Sequence, residues 1–272
     1  MKRVHLVELE DLPWVPAAIR DGGTDLLDFL FGKIRFYGPA VDRVATALDA
    51  SGGTQLVDLC SGGGGGALFV LRELRARGRG EVEALLTDRH PNGAARARVA
   101  GLEGVRYHPE PIDAAQVPTS LPGLRTMFGA LHHFRPEEVK TLLAGAVASR
   151  THLAFVDVAA NSVVRRMPTP LVPLASVPNV LVLLLLPLLL VPFVRPVRLS
   201  RVVFTYVVPL IPLLFAWDGT VSAFRAYTPD ELLEIARSVP GADGYAWEAG
   251  QAGKALYLCG RPAQQAAAGA AT

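Results

Sequence analysis

The 272-residue chain has few cysteines and no apolar run at its start, and both absences exclude a class of protein. Two cysteines, Cys60 and Cys259, are too few for the disulfide framework of a secreted domain. The first residues, MKRVHLVELEDLP, contain nothing that could serve as a signal peptide. We therefore expect a cytoplasmic protein in a reducing compartment.

Charged residues are also scarce, at 19% of the chain, and the formal net charge is only +2. Nucleic-acid-binding domains usually carry a strong excess of Lys and Arg, so no nucleic-acid partner is expected. Hydrophobic residues make up 50% of the chain, and the mean hydropathy is +0.30. This value is high for a soluble protein and low for one with many membrane spans, which indicates that the chain combines unlike segments.

The apolar excess lies in one block, residues 167–217, where 34 of 51 residues are hydrophobic and the only charged residues are Arg195, Arg198 and Arg201. Residues 167–194 form an uncharged stretch of 28 and residues 202–217 one of 16. A membrane-spanning helix needs about 20 mostly apolar residues, so the first stretch is long enough and the second is short. The nine prolines in the block argue against a straight spanning helix, because proline interrupts helical hydrogen bonding.

Three interpretations of this block remain open. It could be a hairpin that dips into one leaflet, with its three arginines meeting anionic headgroups at a membrane surface. It could be a buried insertion that lines an apolar substrate tunnel or forms a dimer contact, or it could be a true span. The block as a whole leads us to expect a hydrophobic small-molecule or lipid substrate.

Outside the block, strands alternate with helices, which predicts a parallel sheet. The predicted strands are 55–60, 82–87, 105–108, 125–129, 152–158, 245–249 and 255–259, and the last two suggest an antiparallel hairpin. The predicted helices are 25–36, 39–50, 66–76, 91–99 with Pro91 in its first turn, 136–148 and 228–239. The last of these opens with a capping box at Thr228–Glu231.

A glycine-rich segment, Asp58-Leu-Cys-Ser-Gly-Gly-Gly-Gly-Gly66, lies between the first strand and the next helix. This is where Rossmann-like folds bind cofactors, because glycine lets the backbone pass close under a ligand and the helix start offers unpaired N–H groups. Gly62, Gly64 and Ala67 give a weak match to a dinucleotide fingerprint. The carboxylate of Asp58, however, would repel a pyrophosphate and suits a cationic ligand such as the amino group of an amino acid.

Two further acids follow the next strands. Asp88 ends the second strand, from which one carboxylate can accept hydrogen bonds from both ribose hydroxyls. Asp113 follows the third strand and could accept the exocyclic amine of an adenine. With these three acids and the glycine loop, residues 50–160 and the closing helix and strand pair resemble the class I S-adenosylmethionine (SAM)-dependent methyltransferases.

The resemblance implies an α/β fold: a Rossmann-like seven-stranded sheet with an antiparallel C-terminal strand pair, an N-terminal helical lid and a hydrophobic helical insertion. It also implies that SAM is the cofactor. Asp88 and its neighbour Arg89 would then bind the ribose and Asp113 the adenine. The methionine part would lie against the loop residues Asp58, Cys60, Ser61, Gly62, Gly63 and Gly64. Cys60 itself is interpreted as a small loop filler rather than a nucleophile, and no metal ion is expected.

The segment after the fourth strand contains Leu131-His132-His133-Phe134. The Asn/Asp-Pro-Pro-Tyr signature of many amino-group and DNA methyltransferases is missing, and the segment resembles that of small-molecule and lipid methyltransferases. Methyl transfer requires alignment of the acceptor and, for some acceptors, removal of a proton. His132 and His133 are the candidate bases. Alternatively, the first packs beside the cofactor and the second caps the next helix.

Five residues are candidates for contact with the methyl acceptor. Trp14 and Arg20, near Thr24, belong to the N-terminal segment that is expected to close over the cofactor, and Asp157 lies in the fifth strand. Trp217 and Asp218 lie where the chain returns from the apolar block to the sheet edge. Each of the five also has a purely structural interpretation.

The expected domain organisation follows from these assignments. It comprises a helical lid (1–50), a SAM-binding domain (51–166 and 218–262), the apolar insertion (167–217) and a disordered tail (263–272). The expected function is SAM-dependent methyl transfer to an apolar or amphiphilic small molecule. The alternatives are a membrane-associated protein that binds SAM without catalysis and a nicotinamide-dependent reductase.

Overall fold

The computed structural model describes residues 3–160 and 166–263; of the predicted tail, residues 264–272 lie outside the described part. A seven-stranded sheet has the order β3-β2-β1-β4-β5-β7-β6. β7 runs antiparallel to both β5 and β6, and the other pairs are parallel. The strands are β1 (Gln55–Asp58), β2 (Glu83–Leu86), β3 (Val105–Tyr107), β4 (Leu124–Phe128), β5 (Leu153–Val158), β6 (Tyr245–Ala252) and β7 (Ala255–Pro262). The predicted fold class, with its terminal hairpin, is confirmed.

The central strands are buried on both faces, which explains their nearly continuous apolar sequences. One hydrophobic core lies between the sheet and the N-terminal helices, and a second lies between the sheet and two later helices. In the parallel register, Asp58 pairs with Leu86 of β2 and with Thr126 of β4. The carboxyl ends of β1, β2 and β4 therefore meet at one edge of the sheet.

The helices around the sheet are α1 (Ala17–Lys33), α2 (Val41–Ser51), α3 (Gly65–Ala76), α4 (Gly93–Val99), α5 (Pro136–Ala148) and α9 (Pro229–Arg237). The capping box of α9 is formed in both directions: Glu231 N donates to Thr228 Oγ1 at 3.2 Å, and Thr228 N donates to Glu231 Oε2 at 2.8 Å. The start predicted for α4 is wrong, because the Asn92 side chain caps the helix by accepting from Ala95 N at 2.9 Å.

The start predicted for α1, at residue 25, is also wrong, and the reason is tertiary. Gly22 and Gly23 reduce helix propensity, yet the helix continues through both. A Cβ atom on Gly22 would lie 2.5 Å from Ile211 Cδ1, and one on Gly23 would lie 3.0 Å from Leu214 Cδ2. The two glycines thus permit close packing of α1 against a helix of the apolar block.

The apolar block follows β5 and contains α6 (Val172–Leu190), α7 (Leu199–Tyr206) and part of α8 (Leu210–Arg225). The predicted end of the insertion, at residue 217, falls inside α8. Residues Val172–Phe193 are long and apolar enough to cross a membrane, with a mean hydropathy of 2.5 and only 11% of the most apolar window buried. Helices α7 and α8 form a pair bent by 79° that passes the same test only together.

Pro178 and Pro187 lie within α6, so the prolines of the block do not interrupt this helix. Its exposed side carries large apolar residues with helical spacing: Leu174, Leu181, Leu185 and Leu189. Since most of α6 is exposed, it is not a core helix within the single chain.

A buried ion pair fastens the insertion to α1. The Arg201 side chain is 1% exposed, and its Nη1 atom lies 2.6 Å from Asp25 Oδ2. Its Nη2 atom donates to the carbonyl oxygens of Val194 at 2.9 Å and Pro196 at 2.5 Å. The expectation that Arg201 meets lipid headgroups is therefore wrong, because its charge is used inside the protein to pair with α1.

Replacing Asp25 with Ala should lower the free energy of unfolding by about 3 kcal/mol, because the buried Arg201 guanidinium would lose its main counter-charge. Chemical denaturation measures this change. The matched control is Asp49→Ala, which removes an exposed pair with Arg79 and should cost about 1 kcal/mol or less. Equal losses in the two variants would contradict a structural role for the Asp25–Arg201 pair.

Candidate functional site

The glycine-rich loop leaves β1 at the edge where the central parallel strands end. Its backbone takes the left-handed conformation at Cys60 (φ 54°), Gly62 (φ 48°) and Gly64 (φ 81°), and Gly64 is the N-cap of α3. Glycine adopts this conformation at no steric cost, which accounts for two of the three positions. Burial raises the pKa of the Cys60 thiol, so this side chain stays protonated near neutral pH.

Asp58 lies beneath this loop and holds it in place. Its carboxylate is 2% exposed. Ser61 Oγ donates to Asp58 Oδ2 at 2.6 Å, and Thr126 Oγ1 donates to Asp58 Oδ1 at 3.0 Å. Burial raises the pKa of Asp58 to about 7, although the two hydroxyl bonds act in the opposite direction. The group therefore changes charge near physiological pH.

Asp88 joins the second strand to the same loop. Its Oδ2 atom accepts a hydrogen bond from Gly62 N at 2.9 Å, and its Oδ1 atom accepts one from His90 N at 2.8 Å. The backbone of Ile112 donates to Asp88 O at 2.9 Å, which brings the Asp113 turn to this edge. Asp113 accepts from Ala115 N at 2.9 Å, and Arg89 is exposed. The loop and the acids after β2 and β3 thus lie on one edge.

Helix α1 covers the loop from the other side. A Cβ atom on Gly65 would overlap Asp28 Oδ1, and one on Gly63 would lie 2.8 Å from Asp28 Oδ2 and 3.4 Å from Thr24 Cγ2. The loop therefore needs glycine for close approach as well as for its turns. Burial raises the pKa of Asp28 to about 6. The sequence analysis missed Asp28. Its only distinguishing feature in the sequence is that it is an acidic residue within an otherwise apolar stretch of α1.

Two aromatic rings pack beside this loop. A Cβ atom on Gly66 would overlap the Phe128 side chain at the end of β4. The rings of Tyr37 and Phe128 pack edge to face with centroids 5.4 Å apart. Next to the loop, the site thus combines buried carboxylates with aromatic faces, a combination that suits a cation.

His132 follows β4 and is fixed by the end of β5. Its backbone N donates to Asp157 Oδ2 at 2.6 Å, and its Nδ1 atom lies 2.8 Å from Asp157 Oδ1. The imidazole is 5% exposed, and its Nε2 atom faces Glu8 Oε1 at 3.6 Å. Asp157 therefore orients the imidazole, and Nε2 is the nitrogen left for other chemistry.

His133 stacks against His132, with ring centroids 4.3 Å apart, and contacts three acids of the N-terminal segment. Its Nδ1 atom lies 3.0 Å from Asp11 Oδ1, while its Nε2 atom lies 3.5 Å from Glu8 Oε2 and 3.7 Å from Glu10 Oε1. Burial lowers the pKa of His133, but the Asp11 hydrogen bond and the charges of Glu8, Glu10 and Asp11 together raise it to about 9.

Arg225, at the end of α8, pairs with the same acids. Its Nη1 atom lies 2.9 Å from Glu8 Oε1 and 2.9 Å from Asp11 Oδ2. We call these side chains the carboxylate–imidazole cluster: Glu8, Glu10, Asp11, His132, His133, Asp157 and Arg225. The sequence analysis identified the imidazoles and Asp157 but missed the other members. The three acids have one signal in the sequence, the acidic run Glu8-Leu-Glu10-Asp11, and Arg225 has none.

The other predicted acceptor contacts surround this cluster. Asp218 accepts from the backbone N atoms of Leu9 at 2.6 Å and Glu10 at 3.1 Å. Trp217 Nε1 donates to Val7 O at 3.0 Å, and the indole is half exposed. Both residues thus hold the N-terminal segment against α8.

The remaining two candidates belong to the N-terminal segment itself. Arg20 Nη2 donates to Leu12 O at 3.0 Å and Val15 O at 3.1 Å, so it fixes the turn that precedes α1. Trp14 lies in that turn, and its ring is 70% exposed.

A cavity of about 320 Å³ lies elsewhere, between the sheet, α5 and the chain that follows Asp113. Leu59, Arg125, Leu142 and Phe155 line it, and it includes no residue that the sequence predicted to bind cofactor or substrate. The candidate site is therefore defined by the strand-end geometry and the loop rather than by this cavity.

No family model and no curated protein matches the chain. Among solved structures, it is similar to human N-acetylserotonin methyltransferase in complex with SAM, at a TM-score of 0.51 and 15% identity. That match covers 93% of this chain and 60% of the human enzyme, so the chain spans well under two thirds of the enzyme's length.

An O-methyltransferase family protein from Burkholderia thailandensis matches at a TM-score of 0.48 and 15% identity, over 86% of this chain and 59% of that one. At 15% identity, the similarity to the human enzyme concerns the fold alone. The antiparallel β7 between β5 and β6 also departs from the 3-2-1-4-5-6 order of dinucleotide-binding domains. The chain has the class I methyltransferase fold.

Proposed function

We propose that the protein transfers a methyl group from SAM to an apolar or amphiphilic small molecule at a membrane surface. The observation that carries the proposal is the meeting of the glycine-rich loop, Asp58, Asp88 and Asp113 at the carboxyl edge of a sheet with methyltransferase topology. In open α/β sheets, ligands bind at this edge.

The residues at this edge fit a cationic cofactor. SAM carries an ammonium group and a sulfonium group, and the buried Asp58 and the partly buried Asp28 supply negative charge beside the loop. The loop residues Cys60, Ser61, Gly62, Gly63 and Gly64 would bind the methionine part through their backbone. Asp88 would exchange its bond to Gly62 N for the ribose hydroxyls, with Arg89 beside it, and Asp113 would accept from the adenine.

When bound, SAM supplies the electrophilic methyl group, and the protein's contribution is alignment of the acceptor and removal of its proton. His132 is the better placed base, because Asp157 holds its Nδ1 atom and leaves Nε2 to accept a proton. His133 is the second candidate. Glu8 faces both imidazoles, so an acceptor would reach them only after the N-terminal segment moves.

The same segment would contribute to acceptor binding. Trp14 and Trp217 have exposed rings that could contact an apolar acceptor. Arg20, Asp157 and Asp218 would act by positioning, since each is bonded to the backbone of the segments that would surround the acceptor.

The exposed face of α6 supports the membrane part of the proposal. Residues 167–194 contain no charged residue, and the helix displays large aliphatic side chains to solvent. Exposed apolar patches of this kind mark interaction sites, and a lipid surface matches one with no charge. A membrane would also concentrate an apolar acceptor near the lid.

The second candidate function is SAM binding without catalysis. The burial of His132 under Glu8 favours it, because the better placed of the two candidate bases is not open to an acceptor.

Asp88→Asn should weaken SAM binding at least tenfold, because a charged acceptor for the ribose hydroxyls is lost while the amide oxygen can still accept from Gly62 N. Isothermal titration calorimetry measures this affinity, and the exposed Asp42→Asn on α2 is the control. Absence of SAM binding by the unmodified protein, or equal affinities of all three proteins, would contradict the proposed site.

Methyl transfer itself is tested by incubating the protein with isotope-labelled SAM and cell extract, followed by mass spectrometry of the products. A labelled lipophilic product that disappears with Asp88→Asn supports an enzyme. Retained SAM binding with no labelled product across lipid and phenol panels would favour the non-catalytic alternative.

SAM affinity should fall about eightfold between pH 7.5 and pH 6, because the ionised fraction of a group with a pKa near 7 falls by that factor. Affinity should fall at the lower pH because protonation of Asp58 removes the negative charge that attracts the ammonium and sulfonium groups of SAM. Calorimetry at the two pH values tests this, and Asp58→Asn should bind weakly at both. An unmodified protein with constant affinity would exclude the role of Asp58.

The unmodified chain should float with vesicles of phosphatidylcholine and phosphatidylglycerol in a density gradient. The double substitution Leu181→Glu and Leu185→Glu should reduce the bound fraction at least tenfold, since charges on the inserted face are expensive. The matched control is Ile34→Glu with Leu102→Glu, two residues of similar exposure outside the insertion. A full-length chain that stays soluble without detergent and never floats would exclude membrane attachment.

A further inference from the structure

We propose that the carboxylate–imidazole cluster is a binding site for a divalent transition-metal ion of the size and ligand preference of Zn²⁺. Its inner ligands are Glu8, His132 and His133, and Glu10 lies at the open side as a fourth. This inference rests on the geometry of the cluster and does not depend on the proposed methyl transfer.

The spacing of the ligand atoms is that of a metal site. Glu8, His132 and His133 each offer one atom, and these atoms lie within 4.8 Å of one another. Glu8 lies 3.6 Å from His132 Nε2 and 3.5 Å from His133 Nε2, and Glu10 lies 3.7 Å from His133 Nε2. These separations are too long for hydrogen bonds. They approach the roughly 3.4 Å between ligands on a tetrahedral ion with bonds of about 2.1 Å.

The outer contacts of the two imidazoles also match a metal site. His132 Nδ1 lies 2.8 Å from Asp157 Oδ1, and His133 Nδ1 lies 3.0 Å from Asp11 Oδ1. A carboxylate at Nδ1 keeps the proton on that nitrogen and points the Nε2 lone pair at the opposite side of the ring. Metal-ligating histidines almost always make such a bond. Here both rings do so, and both Nε2 atoms face the same glutamate.

The hydrogen bonding of the buried Glu8 carboxylate is incomplete. Glu8 is fully buried, and its Oε2 atom accepts no hydrogen bond from the described residues. Arg225 is shared between Glu8 Oε1 and Asp11 Oδ2. A buried carboxylate oxygen with no donor is costly, and a metal ion at the centre of Glu8, His132 and His133 would satisfy it.

A metal ion here would join segments that are far apart in sequence. Glu8 and Glu10 belong to the N-terminal segment, whereas both histidines belong to the turn after β4. The ion would therefore lock that segment over the carboxyl edge of the sheet. Because one lone pair cannot bind both a metal and a proton, the loaded protein would not use His132 Nε2 as a base.

The test uses the full chain, stripped with a chelator and titrated with Zn²⁺ against a chromophoric chelator. We expect one equivalent bound per chain, and Co²⁺ in its place should give the visible absorption of a tetrahedral site. His133→Ala and Glu8→Gln should each weaken Zn²⁺ binding at least a hundredfold. His108→Ala and His152→Ala, two imidazoles outside the cluster, are the matched controls and should bind as the unmodified chain does.

A third variant, Asp11→Asn, distinguishes loss of a ligand from loss of folding. It keeps all four ligands and should weaken binding about tenfold or more through the orientation of His133. No bound Zn²⁺ at micromolar concentration in the folded, unmodified chain would overturn the proposal and leave the cluster as an ion-pair network with a protonated His133. Equal losses in His133→Ala and His108→Ala would also overturn it. Neither result bears on SAM binding, which is measured separately.

Discussion

The buried ion pair between Glu8 and Arg225 is the interaction on which the rest of the site depends. Glu8 is fully buried and the Arg225 side chain is 4% exposed, so removing either partner would leave an uncompensated charge in the interior. The pair joins the N-terminal segment to α8, and through Glu8 it reaches both imidazoles after β4. The N-terminal segment, α8 and the turn after β4 therefore meet at one point.

A second buried ion pair, Asp25–Arg201, joins the apolar block to α1. Arg201, one of the three charged residues of the apolar block, is paired inside the protein. This contact holds the block against α1, and the uncharged face of α6 remains exposed. Close packing of Gly22 against Ile211 brings the same two elements together. Helix α1 thus lies between the glycine-rich loop on one side and the apolar block on the other.

Local signals in the sequence were sufficient for the strands and for the glycine-rich loop. Buried parallel strands have short apolar sequences, and their predicted ends lie within two residues of the observed ones, except where β6 and β7 extend three residues further. The capping box at Thr228 fixed the start of α9. The prediction failed where packing overrides propensity: α1 begins at Ala17 because its glycines contact α8, and α6 continues through Pro178 and Pro187.

By itself, the sequence determined the α/β class, the terminal strand pair, the glycine-rich loop and the acids that follow the strands, because these features are set by local patterns of residues. Only the tertiary structure decided which acids meet the histidines. Glu8 and His132 are 124 positions apart, and no periodicity relates a run of acids in the first eleven residues to a turn after β4. That meeting arises from the path of the N-terminal segment along α8, which is set by the Glu8–Arg225 ion pair and by the hydrogen bonds of Trp217 and Asp218 to the backbone of that segment.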